Sequence, residues 1–351
     1  MPRNFVIPPG CFRTVINTGL DQTTDLNDAF ALGPGTLCLE SNSVYRISNE
    51  VIMPSGVALM GNSSVIEHTT GGSPILRLAD GAQNNDIQHV QLFYESSLPA
   101  NPANECLVLS RQSYLNPTEH ISVRDVVTQW GNVGIYAGNT NHAEFVNVQM
   151  DNHNDISFEW DCIDNVSLTT SSTWSSTTPR GYYIANTQGV SLGATYYGSS
   201  APTNNGGHGY HIDNCSGRLC SMILENVASF TGGLNPTAVL FIENGSSIEI
   251  GNERVIAGAV GATTLDSTPG SVALMAVIDS CVMIHELNTD AQVSYVGANP
   301  HYSFYAAGTG RIYNRCAQFA TPNPLVEFDN NPNVGIKQVN GQWQLDPQLP
   351  S

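Results

Sequence analysis

Apolar and polar residues alternate along this chain in short runs, and the runs come in pairs. A first alternation is followed by a turn rich in Asn, Asp and Gly, and then by a second alternation. Ile75 to Leu78 pairs in this way with Ile87 to Leu92, Leu107 to Leu109 with Ile121 to Val123, and Ile135 and Tyr136 with Phe145 to Val148. Ile156 to Trp160 leads to Val166 and Leu168, Tyr183 and Ile184 lead to Val190 and Leu192, and Tyr210 and Ile212 lead to Met222 to Leu224. Phe241 with Ile248, Val277 with Val282, and Phe304 with Ile312 continue the series. Alternation of this kind marks strands with one buried face.

The pairs recur every ~21–34 residues, a spacing typical of solenoids. A strand of a few residues cannot bury its face alone. Stacked coils can, because equivalent positions then pile into continuous parallel sheets. The pattern therefore predicts an all-β chain: a parallel β-helix of roughly ten coils, each advancing ~4.8 Å. Asp80, Asn139, Asp161, Asn186, Asn214, Asn244 and Asn330 fall at the expected corner after the first strand. Asn and Asp suit it because they tolerate the left-handed backbone of a sharp turn.

An open terminal coil exposes apolar side chains and unpaired backbone, so the ends must be covered. Thr24 is placed to cap a short helix with Asp25 and Asp28 near its positive end, Leu26 and Phe30 on one face, and Gly33-Pro34 as its stop. Thr36 to Glu40 and Ser43 to Ser48 read as lead-in strands, the regular coils begin within Met53 to Met60, and the pattern is lost from Gln338. The expected organisation is an N-terminal arm at 1–20, a capping helix and lead-in strands at 21–48, the β-helix at 49–337 and a tail at 338–351.

Hydrophobic residues make up 41% of the 351 residues, enough for a core, but charged residues only 12%, so the surface is polar and weakly charged. Twelve Lys and Arg stand against 30 Asp and Glu, for a formal charge of −18, which excludes an unassisted nucleic-acid binder. No apolar run approaches bilayer length, and the first residues lack a signal-peptide core, so neither a membrane nor an export signal is expected. The eight cysteines include no Cys-x-x-Cys pair. Cys162, Cys215 and Cys281, in alternate coils ~9.6 Å apart, are too distant to bridge one another and are expected to be inward-facing thiols. Cys11 is better placed for a bond between chains.

The order of helix, Gly-rich turn, Val44-Tyr-Arg-Ile-Ser48 and Met53-Pro-Ser-Gly-Val-Ala-Leu-Met-Gly61 resembles the opening of pectin-lyase-like right-handed β-helix proteins, among which bacteriophage tailspikes are prominent. The resemblance covers residues 20–335 as architecture and 21–61 as motif. It departs in the segment before the helix, usually rich in Gly-Asp-Gly and here Asn17-Thr-Gly-Leu-Asp21, and no catalytic motif of the family maps onto the chain. The resemblance implies a right-handed coil, a homotrimer, and a lateral face that contacts host-surface polysaccharide. It also implies a virion spike or fibre component, assembled in the host cytoplasm and released by lysis, joined to other virion proteins through the N-terminal arm.

Polysaccharide cleavage on such a scaffold needs two carboxylates for hydrolysis, or a base with a neutralising cation for elimination. Glu159 and Asp161 share one strand face, with Trp160 on the other. Asp213, about two coils on, and Glu243, one coil further, extend the line, and two steps of ~4.8 Å would give the carboxylate spacing of an inverting enzyme. The competing reading makes Asp161 a corner residue and the others solvated surface. A polysaccharide lyase or glycoside hydrolase is thus the alternative to a binding protein. Trp160, Trp174 and Arg180 are the candidate glycan contacts, the last two in the loop-like run Ser171 to Arg180. His208-Gly-Tyr-His211 has a spacing that shares neither a helix nor a strand face reliably, so neither a metal site nor a cofactor is expected.

Overall fold

A computed structural model of the protein describes residues 13–111, 116–165, 168–176, 178–198, 208–225, 230–231, 237–251, 263–266, 270, 272–285, 287–289, 293–296, 301–314, 317–319, 336–339 and 342–345. The chain forms two compact units, Met1–Ile163 and Asp164–Ser351. Cys11 and Asn330 lie outside the described residues. Each unit is a stretch of right-handed parallel β-helix.

The first unit opens with the helix Thr23–Ala31, which buries Leu26 and Phe30. Its N-cap is Gln22 and not Thr24, and no side chain caps it. The Gln22 amide is drawn instead to the Ile16 carbonyl at 2.8 Å, while Asp21 Oδ1 accepts from the Thr23 backbone N–H and hydroxyl. Gly33, at φ 92°, ends the helix as expected, its N–H bonded to the Phe30 carbonyl.

One parallel sheet of this unit runs through Arg13–Val15, Gly35–Leu39, Val57–His68, Gln83–Tyr94, Thr118–Gln129 and Thr140–Asp151. The other runs through Val51–Met53, Leu76–Leu78, Glu105–Ser110, Val133–Ala137 and Ile156–Asn165. Register stacks like on like: Leu37, Leu59, Ile87, Val123 and Phe145 are successive partners in the first sheet. Val51, Leu76, Leu107, Ile135 and Phe158 are successive partners in the second. All ten are buried, and each such side chain contributes about 1.5–3 kcal/mol relative to exposure. Trp160 closes the stack, fully buried, parallel to Phe158 at 6.1 Å and edge-on to Phe145.

The long strands of the first sheet bend twice per coil. His89, Asp125 and Asn147 occupy one bend and Asn84, His120 and His142 the other, all with φ between 52° and 58°. Neighbouring coils touch there: the Asn147 amide donates to Asp125, His89 lies 3.4 Å from the same carboxylate, and the His120 and His142 rings stack at 5.1 Å. These bends were not expected from the sequence, which placed turn residues only after the first strand of each pair. Histidine shares with Asn and Asp an enrichment in the left-handed region.

In the second unit one sheet runs through Leu168–Ser176, Val190–Gly198, Ser216–Glu225, Ser247–Ile250, Cys281–Ile284 and Arg311–Asn314. The other runs through Arg180–Thr187, Tyr210–Asp213, Thr237–Glu243, Val272–Ile278 and His301–Ala307. Ile184, Ile212, Ile242, Val277 and Ala306 form its buried column. The buried Tyr182 and Tyr210 rings stack at 4.9 Å. A third parallel sheet, Phe230–Thr231, Thr263–Asp266 and Val293–Val296, was not foreseen. Beyond the coils, Ile336–Val339 and Gln342–Leu345 pair as an antiparallel hairpin.

The expected corner residues divide. Asn186, Asn214 and Asn244 are left-handed, joined by Asp279, and the Asn214 amide donates to Asn186 at 2.8 Å. Asp161 is not at a corner: it lies within the strand Ile156–Asn165, which runs on past Trp160. The Ser171 to Arg180 run is likewise no loop, since Leu168–Ser176 pairs with Val190–Gly198 and Arg180 begins the next strand. Thr173, Trp174, Ser175 and Ser176 are the successive register partners of Thr195, Tyr196, Tyr197 and Gly198, and that pairing outweighs the polar composition. Cys162 and Cys215 are buried free thiols as expected, Cys281 is a partly buried one, and Cys38 is disulfide-bonded.

Replacing Trp160 by Ala should cost about 3–5 kcal/mol of unfolding free energy, read from the urea midpoint, because a cavity opens between Phe145 and Phe158. His153 is buried beside the Thr128 hydroxyl at 3.0 Å, and burial lowers its pKa to about 3. Below pH ~6.5 the unfolded chain takes up a proton at this ring that the folded chain refuses, so the contribution to stability shrinks as pH falls from 6.5 towards 3. The unfolding free energy of the wild type relative to His153→Gln should therefore decline from pH 7 to pH 4. A difference that stays constant over that range would contradict a buried neutral imidazole.

Candidate functional site

Strand alternation decides which candidates face outward. In the first unit Trp160 points into the core while Glu159 and Asp161 lie on the opposite, partly exposed face. Trp160 therefore drops out as a sugar-stacking ring, because Phe158 and Phe145 occupy its surroundings. Glu159 is the register partner of Tyr136 on the preceding coil. The Tyr136 phenol is pushed up to about 12, mainly by burial and then by the charges of Glu159 and Asp161. Arg111 lies over the Tyr136 ring at 5.6 Å and clamps the buried Glu105 through two bonds, at 2.7 and 2.5 Å. The outward face of this sheet thus carries an aromatic ring, a guanidinium and carboxylates side by side.

A tighter group stands on the second unit. His211 and Asp213 are two residues apart in Tyr210–Asp213 and so share a face, and Asp213 is the register partner of Glu243 on the next coil. His211 Nε2 is 2.8 Å from Glu243 Oε1. Asp213 accepts from the Tyr183 hydroxyl at 3.3 Å and from the Asn244 amide at 2.7 Å. The His211 ring is flanked by Tyr183 at 4.9 Å, Phe241 at 5.1 Å and His208 at 5.0 Å. His208 stacks on Phe241 at 4.1 Å, and its Nδ1 accepts the Ala238 N–H at 3.1 Å. Its pKa falls to about 3, chiefly through burial and then through the neighbouring His211.

Two of the four candidate carboxylates, Asp213 and Glu243, are thus brought together within the second unit, while Glu159 and Asp161 belong to the face of the first. One donor oxygen of Asp213 and one of Glu243 lie within 4.8 Å of each other and of a His211 nitrogen. The two carboxylates stand a single coil step apart, near the ~5 Å of retaining glycosidases. Arg180 opens the strand that holds Tyr183 and is partly exposed; Trp174 lies in Leu168–Ser176. Sequence reading set His211 aside on its spacing from His208 and placed neither it nor Tyr183 beside Asp213 and Glu243. The signal was present in the strand spacing His211-x-Asp213, which places an imidazole and a carboxylate on one face.

No protein-family model and no curated protein matches this sequence. The fold, by contrast, superposes on the gp42 tailspike of Acinetobacter phage vb_AbaP_AS12 with a TM-score of 0.60 at 13% identity, covering 97% of this chain and 65% of that one. A double mutant of the tailspike protein of E. coli bacteriophage HK620 aligns at a TM-score of 0.43 and 13% identity, over 91% of this chain and 64% of that one. The catalytic domain of a GH87 alpha-1,3-glucanase in complex with tetrasaccharides aligns at 0.40 and 10% identity, over 96% and 70%. The chain therefore spans under two thirds of the gp42 tailspike, and of these three superpositions that one bears on architecture. It joins the parallel ladders described above in one conclusion: this is a right-handed parallel β-helix protein with the fold of a phage tailspike.

Proposed function

We propose that this chain is the β-helical body of a bacteriophage spike or fibre that binds host-surface glycan through the outward face around Asp213. The observation that carries the reading is the grouping there of Tyr183, His211, Asp213, Glu243 and Asn244 on consecutive coils. Carboxylates and amides fixed at strand spacing bond vicinal sugar hydroxyls, and aromatic rings cover pyranose faces. Two carboxylates at the site, on a chain of net charge −18, favour a neutral or amino-sugar glycan over a polyanion. In this reading residues 1–20 serve as the attachment arm to other virion proteins, 21–48 close the end of the coil, 49–337 form the β-helix and 338–351 the tail. Three chains associate side by side, as the tailspike-like fold accommodates.

A depolymerase is the second reading, and the proximity of Asp213 and Glu243 favours it. One would protonate the leaving oxygen while the other attacks the anomeric carbon, and water deprotonated by the first would then displace the sugar from the second, with net retention. Purified protein incubated with panels of capsular and exopolysaccharides tests both readings. A bound neutral glycan whose affinity drops at least ~10-fold in Tyr183→Ala and Asp213→Asn is expected. If the glycan is also cut, new reducing ends should disappear in Glu243→Gln and persist in Glu159→Gln and Asp161→Asn. Failure to bind any neutral or amino-sugar polymer would end the proposal, and a monomeric mass in solution would remove the trimer from it.

A further inference from the structure

Three donor atoms of mixed chemistry converge on the second unit. The imidazole of His211 and the carboxylates of Asp213 and Glu243 each offer one atom within 4.8 Å of the other two. Register produces this: His211 and Asp213 alternate onto one face, and parallel pairing lays Glu243 beside Asp213. The 2.8 Å between His211 Nε2 and Glu243 Oε1 is about 0.6 Å short of the ~3.4 Å that separates two tetrahedral ligands each ~2.1 Å from one ion. The position a proton now bridges therefore accommodates a metal with little movement of either side chain.

We propose that His211, Asp213 and Glu243 bind a divalent transition-metal ion of the zinc class, with water completing its coordination. The donor set selects the ion. A neutral imidazole suits zinc and its neighbours, whereas calcium takes six to eight oxygens. Two carboxylates and one neutral imidazole also balance the charge of a dication. The surroundings hold the ligands as metal sites require. Asp213 is oriented by bonds from Tyr183 at 3.3 Å and Asn244 at 2.7 Å, which leave lone pairs on both oxygens. The His211 ring is fixed by Tyr183, Phe241 and His208. Binding replaces the His211–Glu243 hydrogen bond: the neutral imidazole carries its one proton on Nδ1 and offers Nε2 to the ion. The ion would tie adjacent coils together and present an open position toward solvent, where an oxygen ligand can replace water.

This inference rests on the donor geometry and holds whether or not a glycan binds. Equilibrium dialysis of the full chain against chelator-buffered Zn²⁺ should give one ion per chain, with X-ray absorption showing a single imidazole in a shell of light N and O atoms. Affinity should fall at least ~10-fold in His211→Ala and Glu243→Gln, and less in Asn244→Ala. It should be unchanged in His120→Ala, whose exposed imidazole belongs to the first unit. Absence of stoichiometric Zn²⁺ binding, equal affinity in His211→Ala, or tighter binding of Ca²⁺ than of Zn²⁺ would overturn the proposal. Should His211→Ala fail to fold, the absorption spectrum of the zinc-loaded wild type decides: a shell without an imidazole refutes the site. Because the titration reads no glycan, a negative polysaccharide panel and a negative metal titration are separate results.

Discussion

Every coil depends on the one beside it for its backbone hydrogen bonds. The strands of the two main sheets in each unit are parallel to their neighbours, and parallel partners lie a whole coil apart in sequence. A coil alone satisfies none of these bonds and buries little of its apolar face. Stacked, each position meets its equivalent, so a column such as Leu37, Leu59, Ile87, Val123 and Phe145 shares one environment. This explains why side-chain size may drift along a column while polarity may not: the inner face stays apolar from aliphatic to aromatic, and what varies is how neighbouring rings interlock.

The same register that builds the core assembles the outward groups. Asp213 and Glu243 meet because Tyr210–Asp213 and Thr237–Glu243 pair without a slip. His211 is rigid for a related reason, since its neighbours Tyr183 and Phe241 sit at register positions on the coils before and after it. A site made this way owes its precision to backbone pairing and not to loop conformation. It also has a cost that the fold absorbs: His208, held against Phe241 and close to His211, has its proton affinity driven down by burial and by its neighbour.

Much of the architecture was legible in the alternation of side chains. Leu107 with Ile121, Tyr210 with Met222 and Val277 with Val282 fall in observed strands, and Leu26 and Phe30 in the predicted helix. What escaped notice depended on three-dimensional register. Asp161 looked like a corner because acidic residues often are, yet its strand continues; Ser171 to Ser176 looked like a loop because it is polar, yet it is paired on Val190–Gly198. The His bends were missed since histidine is rarely read as a turn former. Trp160 was readable as the residue opposite Glu159 and Asp161, but only the packing of Phe145 and Phe158 shows which face is inside. For Asp213 and Glu243, sequence spacing supplied the pair, while Tyr183 and His211 required knowing which coil is adjacent.

The left-handed bends of the first unit bear on how such a chain can diversify. His89, Asp125 and Asn147 share one bend, and Asn84, His120 and His142 the other, with nearly the same backbone angles. Imidazole, amide and carboxylate are thus interchangeable there as far as the main chain is concerned, whereas Val, Ile or Thr would strain it. Mutation can therefore rewrite charge and hydrogen-bonding character along these two edges, codon by codon, while the coil beneath keeps its path.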